Sequence, residues 1–227
     1  MINPPISSSS KVLIWDWTIR LFHWFLVLLI AGLWWTAEEG MMDWHQRFGL
    51  CALGLIVFRL YWGVVGSYTA RFTSFVKGPK SVVVYLRSIF SGGPYKPSFG
   101  HNPIGALSVL ALLGSVCAQV TTGLFAVDVD GLESGPLSRF VEFDTGRLFA
   151  EIHELTFDVM LWLVGLHVLA VIGYVVLLKA NILIPMITGR RAEENQEVER
   201  PHVSVSLMKV AVGILLSCAV VYFIANA

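Results

Sequence analysis

Residues 153–167 read HELTFDVMLWLVGLH, a largely apolar run with a histidine at each end. It opens an apolar segment, residues 155–178, in which Asp158 is the one charged side chain. About 20 mostly apolar residues cross a bilayer core as a helix, so the sequence predicts a transmembrane helix here. Fourteen residues of helix make nearly four turns, so His153 and His167 project from the same face, about 21 Å apart along the axis.

Four more apolar segments approach the length of a membrane span: residues 21–37, 48–66, 104–127 and 210–227. The composition agrees, because 14% of the residues are charged and soluble domains average about 25%. His23 lies in the first segment and Arg59 in the second, and ionisable residues inside a span point to function. The sequence therefore predicts an all-α membrane protein: a four-helix transmembrane bundle over residues 20–178 and a fifth, C-terminal transmembrane helix, residues 210–227.

The charges of the connections predict the orientation. Residues 67–103 carry five basic side chains and no acid, whereas residues 128–152 carry six acids and two arginines. By the positive-inside rule, the N-terminal segment (residues 1–19), the basic connection and a connector (residues 179–209) are cytoplasmic. The C-terminus then faces the periplasm. The balance of 16 basic against 16 acidic residues gives no support for nucleic-acid binding.

The histidines group by depth in this topology. His45 opens the second span at the outer surface, level with His153, while His23 opens the first span on the cytoplasmic side, level with His167. Two neutral imidazoles fill both axial positions of a haem iron, an arrangement that favours electron transfer over oxygen binding. The spacing therefore predicts two haems, one near each membrane surface. The three cysteines form no CxxCH motif, so neither haem is covalently attached through one.

Two other interpretations of the histidines remain open. A zinc site would require three or four ligands that converge on one point, whereas these four lie at two depths. A proton relay would use the histidines and Asp158 without any iron. Met160 lies midway between His153 and His167, where it is expected to pack between two macrocycles rather than to bind iron.

Haem propionates are anionic and require cations nearby. Arg20 shares a helix face with His23, Arg47 flanks His45, and Arg59 lies near the depth of the inner haem. Two alternatives to a propionate partner remain for Arg59. It forms an ion pair with an acidic side chain inside the bundle, or its side chain extends (snorkels) to the membrane surface. His101 begins the third span near the inner haem, where it is expected to bind a propionate, to protonate a quinone, or simply to cap the helix. Small residues on the second and third spans either allow helices to approach or leave space for a porphyrin: Gly49, Gly54, Gly105, Gly114 and Ser115.

Several motifs together resemble the bacterial cytochrome b561 family, which includes the cytochrome b subunits of nickel–iron hydrogenases. They are WDWTIRLFHW (residues 15–24), WHQRFG (residues 44–49), FRLYWG (residues 58–63) and GHNPIGA (residues 100–106), followed by His153-Glu154 and His167. The resemblance covers roughly residues 11–190. It implies a four-helix bundle that binds two b haems through His23, His45, His153 and His167.

The resemblance further implies a bacterial inner-membrane protein that exchanges electrons between the quinone pool and a partner redox protein. The acidic outer connections favour a basic partner, such as a c-type cytochrome, because complementary charge speeds encounter. One alternative is a membrane-anchor cytochrome b subunit of a larger, hydrogenase-like oxidoreductase. Another is a self-contained quinone-linked oxidoreductase for a small oxidant such as superoxide. Association into a homodimer and the role of the fifth span stay open.

Overall fold

The computed structural model describes residues 10–91, 98–193, 201 and 203–227. Over these ranges the elements, in chain order, are β1 (Ser10–Leu13), α1 (Trp17–Glu38), α2 (Met42–Val65), α3 (Phe72–Phe75), α4 (Pro79–Phe90), α5 (Pro103–Phe125), α6 (Phe143–Val176), α7 (Leu183–Thr188), β2 (Arg190–Glu193) and α8 (Leu207–Ala225). Five of them, α1, α2, α5, α6 and α8, are long and apolar enough to cross a membrane. The predicted all-α membrane fold with five spans is confirmed.

The helices begin earlier than the apolar segments do. α1 begins at Trp17, not at residue 20, because the Asp16 carboxylate accepts a hydrogen bond from the Ile19 amide at 2.9 Å and so caps the first turn. α8 begins three residues inside the expected connector. α6 begins at Phe143, and its 34 residues make a rod of about 51 Å, longer than the about 30 Å hydrocarbon core. Its first turns therefore extend beyond the membrane.

The five long helices pack in one continuous bundle. α2 packs against α1, α5 and α8, and α5 packs against α6. α8 approaches α2 closely, because a Cβ atom built on Gly213 would lie 2.9 Å from the rings of Phe58 and Tyr61. Gly54 of α2 faces Val221 of α8. The fifth span is therefore packed along the side of α2.

Contacts between distant segments define one end of the bundle, called here the N-terminal side. β1 pairs with β2 as a short antiparallel ribbon, with Leu13 opposite Arg190. The Thr69 hydroxyl donates to the carbonyl of Ile14 at 2.7 Å, and the Arg20 guanidinium donates to the carbonyl of Ile187 at 2.7 Å. Sequence analysis did not predict this ribbon, because its four-residue strands lie in polar connections and lack an alternating apolar pattern.

The other end of the bundle is called the opposite side. The side chain of Gln46 on α2 donates to the carbonyl of Ser134 at 3.0 Å, and the Arg147 guanidinium on α6 donates to the carbonyl of Val127 at 2.9 Å. These bonds fold the connection between α5 and α6 over the ends of α2 and α6.

Candidate functional site

A cavity of about 590 Å³ lies among α1, α2, α5 and α6, toward the opposite side. His45 of α2 and His153 of α6 line it, and most of the remaining wall is apolar, including Leu26, Ile30 and Phe157. The volume is within the range of about 300–1,000 Å³ typical of cofactor and ligand sites. The bundle therefore contains a space of cofactor size with two imidazoles on facing helices.

The rings of His45 and His153 face each other across this space. Their centroids are 6.2 Å apart and their planes are inclined by 81°. A bond from an imidazole nitrogen to a transition metal is about 2 Å long, so this separation accommodates one metal ion between the two rings.

Backbone carbonyls fix the tautomer of both rings. Nδ1 of His45 lies 3.0 Å from the carbonyl oxygen of Leu33, and Nδ1 of His153 lies 3.0 Å from that of Gln119. A carbonyl only accepts hydrogen bonds, so each Nδ1 carries the hydrogen and donates it. The lone pair is then on Nε2 of each ring, which is the arrangement found in metal-binding histidines.

α5 shapes the wall behind His153. A Cβ atom built on Gly123 would lie 2.9 Å from Cε1 of His153, so glycine lets the imidazole lie against the α5 backbone. The Thr122 hydroxyl lies 3.1 Å from Nδ1 of the same ring. Sequence analysis missed Gln119, Thr122 and Gly123. The available signal was the presence of three polar residues and a glycine within five residues of a charge-free span, residues 119–123.

His23 of α1 and His167 of α6, the second predicted pair, lie nearer the N-terminal side. Their imidazoles are within electrostatic range of each other. Nδ1 of His167 lies 3.2 Å from the Ser108 hydroxyl on α5. Nδ1 of His23 is buried and has no hydrogen-bond partner among the described residues. A buried apolar cluster lies between the two histidine pairs: Ile56, Leu113, Val116 and Met160.

Arg59 is the most deeply buried of the predicted cationic residues, with 4% of its area exposed. Its guanidinium donates to the carbonyl of Ala70 at 3.2 Å and lies 4.7 Å from the centroid of the Phe72 ring. It is 6.0 Å from the ring of Phe22, the neighbour of His23, and so lies near that end of the bundle. Arg59 therefore does not snorkel to the surface. The charge of Asp16 reaches it electrostatically.

Asp16 is itself held in a buried network. Its side chain is 1% exposed, and it accepts hydrogen bonds from the hydroxyls of Thr18 and Ser67 and from the Trp62 indole. The carboxylate is therefore shared among several neutral donors, and Arg59 retains N–H groups for another acceptor.

The other two predicted arginines differ in position. Arg20 is half-buried and binds the carbonyl of Ile187, while its Nε is buried without a hydrogen-bond partner among the described residues. Arg47 is exposed, with its guanidinium 5.1 Å from the centroid of the Trp44 ring. It is absent from the lining of the 590 Å³ cavity. The structure thus places Arg59, but not Arg47, in the interior.

His101 lies just before α5, between two aromatic rings. Its ring centroid is 4.5 Å from those of Trp15 and Phe75, and its Nδ1 is buried without a partner among the described residues. Burial, followed by the positive charge of Arg59, lowers the pKa of His101 from 6.5 to about 3. At physiological pH the imidazole is therefore neutral, and it offers a neighbouring group a neutral ring rather than a cation.

The donor set distinguishes between classes of metal site. Within the described ranges, no three His, Cys, Asp or Glu side chains lie together as a metal-binding group. Two imidazoles do not complete the tetrahedral shell of zinc. They do complete the shell of a haem iron, for which the porphyrin supplies the other ligands. The residues present fit a haem, and the apolar cavity walls fit a porphyrin ring.

Comparison with protein families agrees with this chemistry. The family model "Prokaryotic cytochrome b561" matches residues 14–189, which include all four histidines and most of the bundle but not α8. Comparison with curated proteins and with solved structures gives no match. The chain belongs to the prokaryotic cytochrome b561 family and is a multi-pass bacterial membrane protein, a b-type cytochrome that binds haem and functions in electron transfer.

Proposed function

We propose that this cytochrome binds two b haems at two depths and conducts electrons between the quinone pool and a redox partner protein at the periplasmic face. The observation that carries the proposal is the pair His45 and His153, whose rings face each other 6.2 Å apart across a cavity of cofactor size. His23 on α1 and His167 on α6 provide the second pair, and helical spacing places His167 on the same face of α6 as His153.

In this proposal His45 and His153 hold the outer haem, and His23 and His167 hold the inner haem. A bound haem supplies an iron that accepts and releases one electron. The carbonyls of Leu33 and Gln119 hold Nδ1 of His45 and His153, so Nε2 of each ring would be free to bind the iron. The apolar cluster that includes Met160 keeps water out of the region between the two haems.

Cationic residues complete the inner site. Arg59 is buried, and its guanidinium has a carbonyl and an aromatic ring as neighbours. A buried cation is stabilised by an anionic partner, and a haem propionate is such a partner. Arg20 approaches from α1 with a buried Nε that has no partner among the described residues. His101 contributes a neutral ring whose pKa is lowered by burial and by the charge of Arg59 and which is available to donate a hydrogen bond to a propionate or to a quinone.

The distribution of charge supports the orientation. Among the described residues, the connection at the N-terminal side between α2 and α5 carries Arg71, Lys77, Lys80 and Arg87 and no acid. The opposite side carries a group of acids: Glu38, Glu39, Asp43, Asp128, Asp130, Glu133, Glu142 and Asp144. By the positive-inside rule, the N-terminal side is cytoplasmic and the opposite side periplasmic. The acids there favour a basic partner such as a c-type cytochrome.

A pyridine haemochrome assay on the detergent-purified chain tests the cofactor assignment, because it gives haem type and stoichiometry together. Two b haems per chain are expected. A single haem would contradict one of the two histidine pairs, and a well-folded preparation without haem would support a proton relay instead.

Stopped-flow measurements test the partner. The reduced cytochrome is mixed with a basic c-type cytochrome at increasing ionic strength, and the oxidation rate is expected to fall because salt screens the acidic face. A rate that does not depend on salt would contradict docking at that face. Co-purification of a stoichiometric soluble subunit would support a membrane-anchor role in a larger oxidoreductase.

A further inference from the structure

A second cavity, polar and about 350 Å³ in volume, lies at the N-terminal side between the end of α2 and the start of α8. None of the four proposed haem ligands lines it. Two cations, Arg71 and Lys209, line it, and no acid is found among the described lining residues. The remaining lining residues are Trp62, Val65, Gly66, Ser67, Tyr68, Pro201, Ser204 and Ser206.

Both cations have hydrogen-bonding capacity left over. Nε of Arg71 is buried and has no hydrogen-bond partner among the described residues. Nζ of Lys209 donates to the carbonyl of Val65 at 3.0 Å, and an ammonium group has two further N–H donors. A buried donor without an acceptor destabilises the structure, so this arrangement favours an anion with several acceptor oxygens.

The start of α8 adds to the positive potential. α8 begins at Leu207 without a side-chain cap, and Ser206 and Lys209, on either side of that residue, both line the cavity. The free amides of a first helical turn and the positive end of the helix dipole attract anions such as phosphate. α2 ends at Val65 and α8 begins at Leu207, so the cavity lies where the apolar spans reach the membrane surface.

We infer that this cavity is a phosphate-binding site that holds the phosphate of an anionic phospholipid from the leaflet on the N-terminal side. Cytoplasmic leaflets of membranes are rich in anionic headgroups, which basic clusters at the membrane surface attract. The site joins the loop after α2 to the start of α8, and the bound lipid holds the fifth span against the bundle. This inference does not depend on the assignment of the haem ligands.

The test uses the complete, haem-loaded chain in detergent, titrated with phosphatidylglycerol and with phosphatidylcholine and read by native mass spectrometry. The double variant R71Q/K209Q is expected to bind phosphatidylglycerol at least about tenfold more weakly than the unmodified chain, because two charge-assisted contacts are lost. The matched control is K77Q/K80Q, which removes the same charge from exposed lysines of the same side that do not line the cavity.

Equal affinity for phosphatidylglycerol in the two double variants would overturn the site. If the unmodified chain bound phosphatidylcholine as tightly as phosphatidylglycerol, the preference for an anionic lipid would be overturned. Inorganic phosphate that displaces the lipid at equal concentration would identify a soluble phosphate as the source and overturn the lipid assignment. If R71Q does not fold, the single variant K209Q replaces the double variant, because Lys209 is exposed, and its affinity for phosphatidylglycerol is compared with that of the unmodified chain. The haem content of every variant is measured in parallel, which separates a failure here from a failure at the haem sites.

Discussion

The two histidine pairs are surrounded by different kinds of neighbour. Around His45 and His153 the tautomers are fixed by backbone carbonyls, and a glycine on α5 makes room for one ring. Around His23 and His167 there are fewer fixed neighbours: Nδ1 of His167 lies near the Ser108 hydroxyl, and Nδ1 of His23 has no hydrogen-bond partner among the described residues. The protein therefore holds the rings of His45 and His153 in place with more contacts than it makes to the rings of His23 and His167.

Removal of a single ligand gives the largest expected effect. H153A is expected to lose the outer haem and H167A the inner haem, each leaving one haem per chain, because one imidazole leaves an axial position open. The pyridine haemochrome assay counts the remaining haem, and a redox titration shows which component is lost.

The control for these variants is H101Q, since His101 lies between Trp15 and Phe75 and is proposed to contact a propionate or a quinone but not to bind iron. It is expected to retain two haems. If H153A and H167A lost the same redox component, the assignment of the two residues to separate haems would be wrong.

Closing the space beside His153 is expected to affect the outer haem alone. In G123L the added side chain would occupy the position of the imidazole, because even a Cβ atom lies 2.9 Å from Cε1 of His153. The variant is expected to lose the outer haem and keep the inner one. G114L is the matched control on the same helix, since a Cβ at Gly114 has no neighbour within 4 Å. Equal haem loss in both variants would contradict a local effect.

The spans and the proximity of His45 to His153 could be predicted from the sequence, whereas the surroundings of these histidines could not. Helical spacing places His153 and His167 on one face, and hydropathy finds α1, α2, α5, α6 and α8, because both depend on local periodicity. The roles of Gln119 and Gly123 depend on how closely α5 approaches α6, which no local pattern specifies.

For the same reason, the sequence could not tell whether each small residue allows close helix packing or leaves space for a porphyrin. Gly54 packs against Val221 of α8, and Gly49 lines the 590 Å³ cavity, although both lie on α2. The residue type is the same at both positions, and only the packing of the neighbouring helices decides which role each glycine has. Asp16 is a further case: its position before α1 is typical of a helix cap, but its bonds to Trp62 and Ser67 are tertiary contacts.

Neutralising Arg59 is expected to change the inner haem without removing it. A nearby cation stabilises the reduced iron, so R59Q is expected to lower the inner reduction potential by about 60 mV, a tenfold change in a one-electron equilibrium. The outer potential is expected to stay constant. R47Q is the matched control, because Arg47 is exposed and lies outside the outer cavity lining. A shift of the outer potential in R59Q would contradict the placement of Arg59 at the inner site.

His101 makes the stability of the N-terminal side depend on pH. Its pKa is about 3 in the folded chain and 6.5 in the unfolded chain, so below pH 6.5 only the unfolded chain gains a proton there. The contribution of His101 to stability is therefore complete above pH 6.5 and decreases as the pH falls toward 3. H101F, which keeps an aromatic ring between Trp15 and Phe75, is expected to lose less Tm between pH 7 and pH 5 than the unmodified chain. Equal losses would contradict the low pKa.

The smallest effect is expected from the hydroxyls next to the two α6 histidines, and it compares the two sites most directly. Nδ1 of His167 is near the Ser108 hydroxyl at 3.2 Å, whereas Nδ1 of His153 has the Gln119 carbonyl in addition to the Thr122 hydroxyl. A hydrogen bond donated by Nδ1 makes the ligand more basic and favours the oxidised iron. S108A is therefore expected to raise the inner potential slightly, while T122V leaves the outer potential nearly constant because the carbonyl remains. The opposite result in a redox titration would show that the outer ring depends on its hydroxyl, and that the carbonyl alone does not fix it.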